Sequence, residues 1–164
     1  MQKMRKYFLI LMLFCFGSNA RAQSISFFDL TNLSNLSNSE AHTYLVLGKV
    51  FKQQYLQEIN GNKIEQFRSV VPKVKEQTVT IGNNIPLPDG KFLRRVSYTT
   101  QDPQHIVNLI AQAKRSRMVM KFQGTDANNN IYVFDNEFYH VTMLISTTGS
   151  RGSVEVKQKE FTGF

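Results

Sequence analysis

The period of the apolar positions changes several times along the chain, and each change marks a predicted element. After a polar start, Phe27, Phe28, Leu30, Leu33 and Leu36 recur at roughly helical spacing. Ser37, with Glu40 three residues on, makes a capping box in which hydroxyl and carboxylate satisfy the free N–H groups of a helix start. Ala41, Tyr44, Leu45 and Leu47 then form an apolar stripe, and Gly48 is a natural stop. The pattern predicts two short helices. From Lys49 the period falls to two: Phe51, Tyr55 and Ile59 share one parity, with Lys52, Gln54 and Glu58 on the other. Asn60-Gly61 is a strong hairpin dipeptide because both residues tolerate positive φ, so a second strand is predicted over 63–71. A third, over 74–81, closes at Gly82-Asn83-Asn84. Pro86, Pro88, Asp89 and Gly90 mark a loop, and Phe92, Val96 and Tyr98 define a fourth strand.

Asp102-Pro103 opens a longer helix with a capping side chain followed by a residue that has no N–H to lose. Ile106, Leu109, Ile110 and Ala113 make its buried face, and Lys114, Arg115 and Arg117 sit at the negative end of its dipole. Met118, Met120 and Phe122 then alternate. The Asn128-Asn129-Asn130 turn leads into a strand over 131–134, Tyr139, Val141, Met143 and Ile145 alternate again, and Val154 and Val156 mark the last strand beyond a loop over 147–153. The order is α-α-β-β-β-β-α-β-β-β-β. Strands in runs joined by short turns predict the α+β class, with antiparallel sheet and helices packed on one face. The stretches 40–67 and 104–134 both read helix, strand, Asn-rich turn, Ile-led strand. Two related helix–sheet units explain that echo; so does the generic look of any helix–hairpin.

Composition adds an address. The chain has 164 residues and a formal charge of +8. Its start carries Lys3, Arg5 and Lys6, then an uncharged run of about ten residues from Tyr7 to Phe16, then Ala20 and Ala22 as small residues suited to a signal peptidase. A cleaved signal peptide over 1–22 is expected, with export to the periplasm or the medium. Its apolar run falls short of the ~20 residues that span a bilayer, and no later stretch approaches that length. Cys15 follows Leu13-Phe14, where a lipid-attachment site wants a small residue, so a lipoprotein is the lesser reading. Residues 160–164 lack the alternation of a terminal barrel strand. Removing the peptide leaves 23–164 as a single α+β domain with a charge of about +4 and no cysteine. That excludes a disulfide framework, a thiolate nucleophile and thiol-ligated metal centres.

Leu30, Leu33 and Leu36, then Tyr44-Leu45 and Gly48 before Phe51, resemble over about thirty residues the mature start of many small exported bacterial proteins. The helix-then-sheet order is similar to the β-lactamase inhibitor protein fold, in which a tandem pair of such units presents a sheet face to a partner. The resemblance implies an envelope or secreted binding module, at the level of fold alone.

Candidate chemistry is sparse. Asp126, Asn128 and Asn130 occupy alternate positions and Glu137 falls where the twelfth ligand of a calcium loop belongs, but the sixth position is Ile131 rather than Gly. A hairpin whose side chains cap their own backbone is the plainer reading. His42, His105 and His140 lie on separate elements and are read as solvent-facing or capping residues. Asp102 with His105 could serve a triad with a distant serine, although Asp102 is better explained as a helix cap. Asp135 and Glu137 could divide acid and base roles over a sugar, or be solvated turn residues. Two basic clusters, Lys91, Arg94, Arg95 and Lys114, Arg115, Arg117, Lys121, could meet an anionic polymer, lipid headgroups or an acidic partner. Nucleic acid is not expected of an exported chain. The reading is a non-enzymatic binding module without cofactor or metal, its partner an envelope protein or an anionic surface component. The alternatives are a small hydrolase of envelope polymers and a structural subunit.

Overall fold

Capping side chains begin every helix of the described residues. The computed structural model describes residues 25–59, 61–71 and 75–160. The expected signal peptide, Asn60, the start of the predicted third strand and residues 161–164 lie outside them. Helix α1 (Phe27–Asn35) starts with a capping box that the spacing of apolar residues did not reveal: Ser26 Oγ accepts from the Asp29 N–H at 3.2 Å, and the Asp29 carboxylate accepts from the Ser26 N–H at 2.7 Å. Helix α2 (Asn38–Leu47) starts with the Ser37/Glu40 box as expected. It stops at Gly48 as expected, but without a left-handed glycine. Gly48 keeps a right-handed φ of −68°, and the left-handed turn falls on Lys49 at +52°. Helix α3 (Pro103–Arg115) is capped by Asp102, which accepts from the Gln104 N–H, and it too is followed by a left-handed residue, Arg117 at φ +60°.

The strands run β1 (Phe51–Ile59), β2 (Asn62–Ser69), β3 (Gln77–Ile81), β4 (Ile85–Pro86), β5 (Phe92–Leu93), β6 (Arg95–Thr100), then after α3 β7 (Val119–Thr125), β8 (Asn129–Asp135), β9 (Tyr139–Ser146) and β10 (Gly152–Gln158). Eight of them form one sheet in the order β1-β2-β3-β6-β10-β9-β8-β7, every neighbouring pair antiparallel. The short pair β4–β5 forms a separate ribbon in the predicted loop. The fold is therefore α+β with a large antiparallel sheet. The chain lays down β1-β2-β3-β6 as one meander and β7-β8-β9-β10 as a second, and pairing of β6 with β10 joins them.

Residues directly opposite in an antiparallel pair share a face. The row Phe67, Val79, Tyr98, Val154, Met143 is opposite throughout, and all five side chains are buried. Helix α1 lies against β6 and β10, α3 against β9 and β10, and α2 against β1 and β2. Leu30 and Leu33 of α1 and Ile106, Leu109 and Ala113 of α3 complete the core, each leucine or isoleucine burial contributing about 1.5–3 kcal/mol. Gly152 lets α3 come close: a Cβ there would fall 2.3 Å from Ile106 Cγ1.

Two strands depart from the expected alternation. A bulge between Gln53 and Tyr55 in β1 leaves Phe51 on the core face and turns Tyr55 and Ile59 to the other. A bulge between Met120 and Phe122 in β7 likewise keeps Met120 opposite Phe134 and turns Phe122 away. Both bulges fall in the strands at the two edges of the sheet, where an irregular ladder discourages pairing with another chain.

Candidate functional site

The face of the sheet opposite to the core side chains is built by strict register. One row runs Tyr55, Gln66, Thr80, Ser97, Glu155, Thr142, Val133, Phe122 from edge to edge, and the next runs Arg68, Thr78, Thr99, Ser153, Leu144, Ile131, Gly124. The middle of the face is polar, rich in Ser and Thr, and half-buried. Its ends carry the exposed rings of Tyr55 and Phe122. Because β-branched Thr fits a pleated strand and offers a hydroxyl, such alternation folds as sheet while leaving a polar surface.

At one end of this face, beside the β9–β10 loop, lies a groove of about 380 Å³. Thr78, Thr99, Ser153 and Leu144 form its floor, Glu76, Gln101 and Arg151 flank it, and Ser146 and Asn129 close it. Its ionisable residues are Glu76 and Arg151. Glu76 is held by Arg68 at 3.3 Å and Gln101 at 3.4 Å. The Arg151 side chain and the hydroxyls of Thr78, Thr99 and Ser153 make no hydrogen bond among the described residues, although Thr78 is only 8% exposed. Two smaller hollows lie elsewhere. An apolar one of about 350 Å³ sits between α1, α2 and the start of β1, lined by Ile25, Tyr44, Leu47 and Val50. A polar one of about 270 Å³ is lined by Lys63, Asn84, Phe92 and Arg94.

The basic residues singled out from sequence are dispersed. Lys91 pairs with Asp89 at 3.0 Å, and their mutual hydrogen bond raises the lysine and lowers the carboxyl from their ordinary values. Arg94 stacks 5.4 Å over the Phe92 ring and reaches the Asn35 carbonyl at the end of α1. Arg95, on the opposite parity of the chain, lies 3.6 Å from Glu155. Lys114 and Arg115 occupy the last turn of α3, Arg117 the left-handed turn and Lys121 the bulge of β7. None of these four makes an ion pair among the described residues. Strands β10, β9 and β8 separate β6, which carries Arg95, from β7, which carries Lys121, roughly 19 Å at ordinary strand spacing.

The four calcium candidates do not converge. Asp126 Oδ1 accepts from the N–H groups of Asn128 and Asn129 at 2.7 and 2.6 Å, which lowers its pKa, and Asn130 enters β8. Glu137 lies beyond the far end of that seven-residue strand, so the set is split between two turns. Asp135 is engaged by His140 at 2.9 Å and by Lys159 at 3.6 Å rather than paired with Glu137.

Of the three histidines only His105 corrects the expectation of a solvent-facing ring; the side chains of His140 and His42 stay 41% and 38% exposed. His42 Nδ1 lies 2.6 Å from Glu65 Oε2, over the edge of Phe67. His105 is 6% exposed. Its Nδ1 sits 3.1 Å from Thr100 Oγ1 and 3.2 Å from the Tyr98 hydroxyl, which donates to Gln77 Oε1 at 2.9 Å. Asp102 Oδ2 is 3.9 Å from Nε2, and Lys75 is 3.8 Å from the other Asp102 oxygen. Burial lowers the His105 pKa, with Asp102 opposing and Lys75 adding to the shift; burial raises that of Tyr98. This is a core network whose nearest hydroxyl, Thr100, is itself buried. Compared with known protein families, curated proteins and solved structures, the chain has no match.

Proposed function

We propose that the protein is an exported, non-enzymatic binding module that keeps its three helices on one face of the sheet and meets its ligand with the other. The observation that carries this reading is the eight-strand row from Tyr55 to Phe122, a polar surface with aromatic ends that belongs to neither core nor helix contacts. The chemistry nearest to it supports binding over turnover: the groove offers one carboxylate and one guanidinium, and the His105 network points into the core. Export rests on the basic, apolar, small-residue order of the first 22 residues.

The same reading makes the two meanders related units. Each follows a helix, a left-handed non-glycine residue two positions before the edge strand (Lys49 before Phe51, Arg117 before Val119), and an early bulge in that strand. These shared irregularities are more specific than helix–hairpin order, because neither a left-handed Lys nor a left-handed Arg is favoured by its own chemistry.

The test pairs two variants. Ser97→Arg with Thr142→Arg crowds the open face, whereas Val107→Arg alters the outer side of α3. Immobilised protein should retain envelope material in the wild type and in Val107→Arg, and lose it in the double variant at unchanged circular dichroism. Retention by the double variant refutes the reading.

A further inference from the structure

We infer that the groove at the end of the open face binds an acidic saccharide, with Arg151 holding a uronate carboxylate and the Thr78, Thr99, Ser153 row holding ring hydroxyls. The inference rests on the sheet-face reading and adds the class of ligand. The groove's volume, about 380 Å³, lies within the range of small-molecule sites, roughly 300–1,000 Å³.

The three hydroxyls come from adjacent strands in direct register, Thr78 opposite Thr99 and Thr99 opposite Ser153. They are therefore spaced by about 4.8 Å. Each can donate and accept, and none bonds to another protein group among the described residues. Thr78 anchors the row: its side chain is only 8% exposed, so its hydroxyl is held in one place on the groove floor, open for a ligand hydroxyl to meet. A ligand that satisfies the row must present oxygen donors and acceptors along its length, as a polyol does.

The charge selects among polyols. Arg151 lines the groove without an ion pair among the described residues, and its planar fork suits a carboxylate. Glu76, flanking the same groove and met by Arg68, can accept from sugar hydroxyls. A peptide is disfavoured for two reasons. Strands β3, β6, β10 and β9 are paired on both sides, so no strand edge is open for augmentation, and Leu144 is the one large apolar side chain of the floor.

The probe is the galacturonic acid trisaccharide, titrated into the whole protein by amide NMR and calorimetry. Its controls are the neutral methyl-esterified trisaccharide and hexaglutamate. Shift changes should centre on Thr78, Thr99, Ser153 and Arg151. Arg151→Gln should weaken the acid by about tenfold, the scale of one charge-assisted contact, and leave the ester unchanged. Thr99→Val, which keeps shape and removes the hydroxyl, should weaken both sugars several-fold. The assignment is overturned by absence of shifts at the groove, by an Arg151→Gln variant that binds as wild type, or by hexaglutamate binding there as tightly as the sugar. Should the probes fail while the open-face variants still abolish envelope capture, the ligand class falls and the sheet-face reading stands.

Discussion

Protonating His105 would place a cation between Tyr98, Thr100 and Asp102 at a site that water scarcely reaches. Its folded pKa lies below the ordinary histidine value of about 6.5, so the unfolded chain binds the proton more readily. The stability that the neutral ring contributes is complete above that value and is lost as pH falls toward the folded pKa. The lowered carboxyls Glu40, Asp89 and Asp126 act at more acidic pH and do not confuse this window. Thermal melts from pH 7.5 to 5.0 should therefore show a falling midpoint, and His105→Gln, less stable throughout, should flatten that slope. An unchanged slope would remove His105 from the account. Its burial could have been read from spacing, because His105, Leu109 and Ala113 form one stripe at four-residue intervals beside Ile106 and Ile110.

At the level of the element, the bulges decide which apolar residues matter. Phe51 is 5% exposed and Tyr55 52%, although simple alternation gives them one parity. Phe51→Ala should cost about 3–5 kcal/mol in urea unfolding, whereas Tyr55→Ala should stay within about 0.5 kcal/mol. Equal losses would mean that β1 has no bulge in solution. The caps at Ser37 and Asp102 and the existence of each large strand were legible, since these depend on residues a few positions apart. The bulges were not, because one extra residue shifts the phase of a strand without changing its composition. The left-handed turns at Lys49 and Arg117 were equally silent, being imposed by the geometry of helix meeting edge strand.

For the whole molecule, the element order was readable but the strand order was not. Local turns account for each meander, while nothing near Val96 or Val154 announces that β6 and β10 will pair. The groove inherits that difficulty: Thr78, Thr99 and Ser153 each show as a polar position in an alternating strand, and only the long-range pairing lines them up. Since α1 rests on both β6 and β10, neither meander should stand alone. A fragment of residues 25–101 should show no cooperative thermal transition, and a sharp one would make the first unit an independent domain.

The position of β10 in the middle of the sheet also sets a clock. Among the described strands it is the last to be synthesised, yet the sheet has no continuous centre without it, so the two meanders cannot join until it has emerged. Until then the strands made before it remain open to whatever holds or threads a nascent chain.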